Sequence, residues 1–351
     1  MKAYRFLGPG RAEFCDVTVA GPGPGEVLVE VAAVGVCHTD LTIIDAPAGS
    51  PLPINGFTLG HETSGWVHAI GPGVTGLEIG QPVLVYASWG CGSCRRCIQG
   101  LDHWCERGAV LAGMGRDGGL AEYQLVPDAR WLVPLPDRID VHKAAPLADA
   151  GLTPYHAIRR SIGALERPPS SIALVGVGGL GHVAVQIARA ITPATTIAVD
   201  VSQQRLDLAS ALGAHHAVQA GPDAAGAVLG LTDGRGADVV IDFVGSDQTL
   251  AFAAEVAGSM GDIVLIGGPS GSLAVNHSTI KRDTTVTRGG MGSISELHEV
   301  VALAEQGAIE MVSEMYEFDD IERAYGQLRE GRINGRAIIS VSAAPKHPQG
   351  K

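Results

Sequence analysis

Four cysteines stand within fifteen residues, in the run Cys91-Gly-Ser-Cys94-Arg-Arg-Cys97 followed after seven residues by Cys105. Four thiolates on one short loop can close a tetrahedral Zn²⁺ site and leave no open position, which is the chemistry of a structural zinc. An iron–sulfur cluster is the rival. Bacterial cluster runs place the fourth cysteine after three residues and follow it with proline, whereas here Glu106 follows Cys105. Four unrelated core cysteines are the plainer alternative, and it is weak at this density. A second pattern is Gly176-Val-Gly178-Gly179-Leu180-Gly181. Such a run means little alone, but here it follows an apolar stretch and opens a helix-like one, the context of a dinucleotide-binding turn. Gly176 allows the tight turn, Gly178 lets backbone approach a pyrophosphate, and Gly181 lets helix pack on strand. Asp200 closes the next apolar run, 24 residues after Gly176, where an acid can bind ribose hydroxyls. Third come Cys37-His38-Thr39-Asp40 and His61-Glu62. Cysteine and histidine are good zinc ligands, but two are too few for a site.

Two kinds of element must position these groups. The first ~150 residues read as short strands between turns, a β-rich unit. Val27 to Val31 follows Gly21-Pro-Gly-Pro-Gly25, a strong breaker. From Gly151 onward, strand-like runs over 171–175, 196–200, 215–218, 238–242, 262–266 and 284–288 alternate with helical runs. The helical runs are 180–191, 203–212 and 248–259. That alternation predicts an α/β doubly wound parallel sheet. The last stretch predicts helices over 295–306 and 319–330 and a strand over 336–341, expected to return to the first unit. The tail from Pro345 is polar and expected to be loose.

Composition narrows the function classes. At 351 residues the chain accommodates two cores. Lys and Arg number 25 against 37 Asp and Glu, a net charge of −12. An acidic chain without a basic stripe is a poor partner for nucleic acid or an anionic membrane. Its most apolar stretch, 172–191, holds four glycines with His182, Gln186 and Arg189, which argues against a membrane span. The first ten residues lack the apolar core of a signal peptide. A cytoplasmic protein is the expectation, and in a reducing compartment clustered cysteines mean metal rather than disulfides.

Taken together in this order and spacing, the four motifs resemble those of the zinc-containing, NAD-dependent medium-chain alcohol dehydrogenases, over essentially the whole chain. The resemblance implies a GroES-like catalytic domain at 1–151, with 290–351 returning to it, and a Rossmann domain at 152–289. It implies two zinc ions per chain. Cys37 and His61 resemble two ligands of a catalytic zinc. Relatives often supply a third as a cysteine, and here Asp149 takes that place, with Glu62 as the competing carboxylate. Asp40 resembles the carboxylate that fixes the His61 tautomer. Thr39 resembles the hydroxyl that takes the substrate's proton, and His38 a group near the pyrophosphate. For NAD, Thr153 resembles a neighbour of the nicotinamide, Arg205 a base at the adenosine ribose, and Arg336 an arginine that reaches the pyrophosphate. Tyr86, Trp89 and Met291 resemble pocket walls, though on physics alone they read equally as core.

One position departs from many relatives. Where those carry a relay histidine three residues after the hydroxyl, this chain has Thr42, so the proton must leave by His38 or water. The resemblance further implies alcohol, aldehyde or ketone substrates and a homo-oligomer, tetramer or dimer. The rivals are a zinc-free reductase of the same fold, which would not need Cys37, His61 and Asp149 together, and a zinc-stabilised binding protein without turnover.

Overall fold

The computed structural model describes residues 1–50, 56–268 and 271–345. Most of the tail expected to be loose, 346–351, lies outside them. The chain divides into two compact units. One comprises Met1–Asp149, Ser293–Glu305 and Ser313–Lys351. The other comprises Ala150–Gly292 and Gln306–Val312.

The first unit is built on a seven-stranded mixed sheet. Its central strand Val27–Gly35 reads VLVEVAAVG and is buried along its whole length. A strand covered on both faces favours such a run of β-branched and small apolar residues over strict alternation. Strand Glu62–Ile70 pairs antiparallel on one side of it, setting Gly35 opposite Glu62. On the other side lies Arg336–Ser340, also antiparallel. A core of Tyr4, Phe6, Val34, Val36, Leu41, Ile43, Tyr325 and Ile339 packs beneath.

Helix His38–Ile44 begins directly after the central strand. Asp40 stands at its third position and accepts a hydrogen bond from the Cys37 backbone N–H at 3.0 Å. That reach-back satisfies an otherwise orphaned donor at the helix start. The other end is held by Arg329, whose guanidinium donates to both oxygens of Asp45 at 3.2 and 2.8 Å.

The second unit is a six-stranded parallel sheet with helices between its strands. Numbered along the chain from Ser171–Val175 to Thr285–Arg288, the strands lie in the order 3-2-1-4-5-6, the doubly wound dinucleotide-binding arrangement. The helix expected over 248–259 spans only Asp247–Val256. Strand Ala257–Leu265 follows at once, because Ala257 is already extended and Met260 adopts a left-handed φ of 63°. Helix Ala224–Leu231 was not anticipated. Its AAGAVLGL sequence carries two glycines and no polar face, so it shows no amphipathic period. Gln186 clasps the backbone of Glu310, donating to its carbonyl and accepting from its N–H, both at 2.8 Å. Among the described residues, no helix is long and apolar enough to cross a membrane.

Candidate active site

Cys37, His61, Glu62 and Asp149 converge in the first unit, with one ligand atom from each lying within 4.8 Å of the others. Cys37 caps the helix that follows the central strand, and Glu62 opens the neighbouring strand. Asp149 closes the short helical turn Ala145–Ala148. All four are buried. Gly35 makes room for this arrangement, since a Cβ there would overlap the Glu62 carboxylate.

The distances suit one tetrahedral metal. Zinc bonds of about 2.3 Å to sulfur and about 2.1 Å to nitrogen or oxygen imply ligand-to-ligand edges of about 3.4–3.8 Å. Asp149 Oδ2 lies 3.6 Å from Cys37 Sγ and 3.5 Å from His61 Nε2. The other ring nitrogen, Nδ1, faces Asp40 Oδ1 at 3.3 Å, so Nε2 is the nitrogen offered to the cluster. A carboxylate behind a ligating imidazole orients the ring and selects its tautomer.

Charge tells the same story. Burial alone would lower the His61 pKa. Burial is the largest single influence, yet the Asp40 carboxylate, with Asp149 and Cys37 close by, overcomes it and raises His61 well above the ordinary value. Acidic groups this crowded favour any cation among them. Burial pushes Glu62 up to about 7, although Arg336 pulls it back. Arg336 is 3% exposed. It donates from Nε to Glu62 Oε2 at 3.1 Å and from a terminal nitrogen to Oε1, and that same terminal nitrogen lies 3.7 Å from Asp149 Oδ2. Glu62 is therefore held from behind by two contacts to the guanidinium, which stands farther from Asp149, while Asp149 Oδ2 faces Cys37 and His61.

The four-cysteine loop forms a second cluster. Its sulfurs lie 3.5 Å apart for Cys94 and Cys97, and 4.0 Å apart for Cys91–Cys97 and Cys94–Cys105. A tetrahedron of four Zn–S bonds has edges of about 3.8 Å. Backbone N–H groups of Cys97 and Glu106 donate to Cys94 Sγ at 3.5 Å, and that of Cys91 to Cys105 Sγ at 3.3 Å. Backbone donors, Ser93 foremost, bring Cys91 down to about 6, whereas burial pushes Cys97 up to about 12. The donor set fits a closed zinc site.

In the second unit, Gly176 has a φ of 87° and follows strand Ser171–Val175. A Cβ on Gly181 would strike the Gly176 carbonyl, whereas a Cβ on Gly178 would enter open space. The turn is thus tight where helix meets strand and clear where a phosphate would rest. Gly179 and Leu180 complete it, half-buried, before helix Gly181–Ile191. That helix directs its first N–H groups and dipole at the clear space. Asp200 ends the adjacent strand. Its carboxylate accepts from Val177 N at 2.7 Å and Ser202 N at 2.9 Å, with Arg205 3.9 Å away. This loop fits a dinucleotide.

The remaining residues singled out from sequence lie as follows. Thr39 places its hydroxyl 3.6 Å from Cys37 Sγ, while His38 is exposed. Thr42 donates to the His38 carbonyl at 3.1 Å. Arg336, expected at the pyrophosphate, lies behind the metal cluster. Trp89 is buried in the first unit, stacked 5.8 Å from Trp131 and donating to the Tyr86 carbonyl. Met291 and Thr153 belong to the second unit, half-buried and buried respectively. Sequence reasoning missed Asp242. It is fully buried at the end of the strand beside Ser171–Val175 and accepts from Val244 N, Gly245 N and Thr249 Oγ1 at 2.8–3.1 Å. Its signal was an acid ending a strand three residues before a glycine.

Comparison with known proteins agrees with this geometry. The alcohol dehydrogenase GroES-like domain matches residues 23–137, and the zinc-binding dehydrogenase domain matches 179–306. The chain is 35% identical to an NAD-dependent alcohol dehydrogenase of Sulfolobus acidocaldarius, covering 97% of this chain and 99% of that one. It is also 35% identical to an NADP⁺-dependent D-arabinose 1-dehydrogenase of Saccharolobus solfataricus, over 93% of each. A solved alcohol dehydrogenase from Aeropyrum pernix superposes with a TM-score of 0.90 at 36% identity, covering 97% of this chain and all of that one.

Proposed function

This chain belongs to the zinc-binding, GroES-like alcohol dehydrogenases, oxidoreductases that use zinc and NAD, and on that premise we propose how it works. The reaction is reversible oxidation of primary or secondary alcohols to aldehydes or ketones, with hydride passing to NAD. The observation that carries the reading is the meeting of Cys37, His61 and Asp149 at tetrahedral spacing while Arg336 engages Glu62.

In this reading Cys37, His61 and Asp149 hold the catalytic zinc, and Cys91, Cys94, Cys97 and Cys105 the structural one. Bound at the first site, zinc supplies Lewis acidity toward an alcohol or carbonyl oxygen. Cys⁻, neutral His and Asp⁻ leave the site formally neutral. Asp40 holds the His61 ring so that Nε2 faces the cluster. Thr39, beside Cys37, takes the substrate's hydroxyl proton, and His38, exposed at the start of the same helix, passes it outward. Glu62, tethered by Arg336, stays behind the metal donors. The Gly176–Gly181 turn binds the NAD pyrophosphate and Asp200 the ribose hydroxyls, with Arg205 and Thr153 as further contacts. Trp89 is the first unit's candidate contact for a small apolar substrate, and Met291 the second unit's. The GroES-like catalytic domain is assigned to 1–151 with 290–351, and the Rossmann domain to 152–289. The protein is assigned to the cytoplasm as a homo-oligomer, tetramer or dimer, which light scattering reads directly.

The test is a spectrophotometric screen of small alcohols and ketones with NAD and NADP, before and after chelation. NAD-linked turnover that disappears with the metal and returns with added zinc is expected. Turnover unaffected by complete zinc removal would overturn the reading.

A further inference from the structure

Tyr325 lies on helix Ile321–Arg329, which packs against the helix carrying Asp40. Its side chain is 1% exposed in the core beneath that helix. Its hydroxyl makes no hydrogen bond among the described residues. Asp40 is fully buried as well. Its Oδ2 accepts from the Cys37 backbone, while Oδ1 faces His61 Nδ1 at 3.3 Å without completing a hydrogen bond. A buried, unsatisfied donor therefore sits on one of two packed helices and a buried, unsatisfied acceptor on the other. Buried polar groups are rarely left so without a reason.

We propose that the Tyr325 hydroxyl is the second hydrogen-bond donor to Asp40, directly or through one buried water, and thereby positions the Asp40–His61 pair for metal binding. The inference rests on the reading of Cys37, His61 and Asp149 as a metal site. Tyr325 touches neither substrate nor cofactor in this scheme and acts only through Asp40.

Several observations support the pairing. Burial raises the Tyr325 phenol well above its ordinary value, and Asp40 is the next largest influence, ahead of Tyr4, Cys37 and Glu322. A phenol so shifted stays protonated, and so remains a donor. The nearby acid on its own helix, Glu322, already accepts from Tyr4. The Tyr4 ring, 6.1 Å from that of Tyr325, offers no acceptor better than a carboxylate. A carboxylate that accepts from both the Cys37 N–H and a phenol is fixed at two points, and the imidazole it faces is fixed with it. Partners behind a metal ligand tune affinity in this way.

The test measures zinc affinity by chelator competition in the whole protein, together with thermal stability, for Tyr325→Phe, Asp40→Asn and the double variant. Tyr325→Phe should weaken the zinc held by the Cys37 cluster by about tenfold without lowering the melting temperature of the zinc-loaded protein. In the Asp40→Asn background the same change should have no further effect. Unchanged zinc affinity in Tyr325→Phe would overturn the proposal, as would an equal loss in both backgrounds. Should Tyr325→Phe be insoluble, proton NMR of the wild-type protein gives a second measurement. A slowly exchanging Tyr325 hydroxyl proton that moves in Asp40→Asn is expected, and one that does not respond refutes the link. Cys37→Ser serves as control and should remove one zinc of two. If it retains both, the metal reading fails and the proposal fails with it.

Discussion

Replacing Arg336 by Met should make stability depend on pH in a way traceable to one carboxyl group. In the structure Glu62 is 0% exposed and Arg336 is its counterion. Removing one partner of a buried pair typically costs about 3–5 kcal/mol, because the other is left charged and desolvated. Glu62 has an escape, which is to take up a proton. At pH 7 a carboxyl with an ordinary value of 4.5 lies about 2.5 pH units on the ionised side, so holding it protonated costs about 3.4 kcal/mol. That figure caps the whole Glu62 penalty at neutral pH, and the native group, already raised to about 7 beside Arg336, carries most of it before the substitution. The sign follows from linkage. A carboxyl raised in the folded state weakens the fold above its folded value, and the penalty disappears as pH falls towards 4.5. Denaturant unfolding of Arg336→Met should therefore show a Glu62-linked deficit that is below about 1 kcal/mol at pH 7, grows above pH 7 by up to about 1.4 kcal/mol per pH unit, and vanishes toward pH 5. Adding Glu62→Gln, which keeps the shape and removes the charge, should recover much of the stability and flatten the pH dependence. A deficit that is the same at pH 5 and pH 8, or one untouched by Glu62→Gln, would refute the assignment of Arg336 as the Glu62 counterion.

Asp149→Ala should lower zinc from about two ions per chain to about one and abolish turnover while the fold persists; metal analysis showing both ions with full turnover would transfer the third-ligand role to Glu62. Cys94→Ser should release the structural zinc and lower the melting temperature or soluble yield, because such sites contribute folding free energy directly. Asp200→Gly should shift cofactor preference toward NADP, since the carboxylate repels a 2′-phosphate. A wild-type kcat/KM already favouring NADP would contradict that role, and Arg205, 3.9 Å from Asp200, is the residue that would then accept the phosphate.

What could be read from the sequence was what lies close along it. The four-cysteine loop and the Gly176–Gly181 turn each fall within fifteen residues, so spacing alone constrains their geometry. The parallel sheet announced itself through alternating strands and helices. Pairings made by the folded sheet were not legible. Glu62 and Arg336 are 274 residues apart, and only the neighbouring strands Glu62–Ile70, Val27–Gly35 and Arg336–Ser340 bring them together. Nothing local to Arg336 distinguishes a buried counterion from a pyrophosphate ligand. Tyr325 stayed hidden for the same reason, as an aromatic on an amphipathic helix that reads as core. Asp149 was reachable only because resemblance marked a place where a ligand was due.

The position of strand Arg336–Ser340 beside Val27–Gly35 also orders events in time. The ribosome delivers Cys37, His61, Glu62 and Asp149 in the first part of the chain, yet the guanidinium that neutralises Glu62 is translated 274 residues after it. Until then residues Ala33–Gly35 of the central strand lack the neighbour they pair with on one side, and an acid destined for the interior lacks its counterion. The seven-stranded sheet of the first unit therefore cannot be completed until the whole dinucleotide fold has been synthesised. Under the proposed assignment, a metal held by Cys37, His61 and Asp149 would meet the finished geometry only after Arg336 is made, although its ligands are among the first residues made.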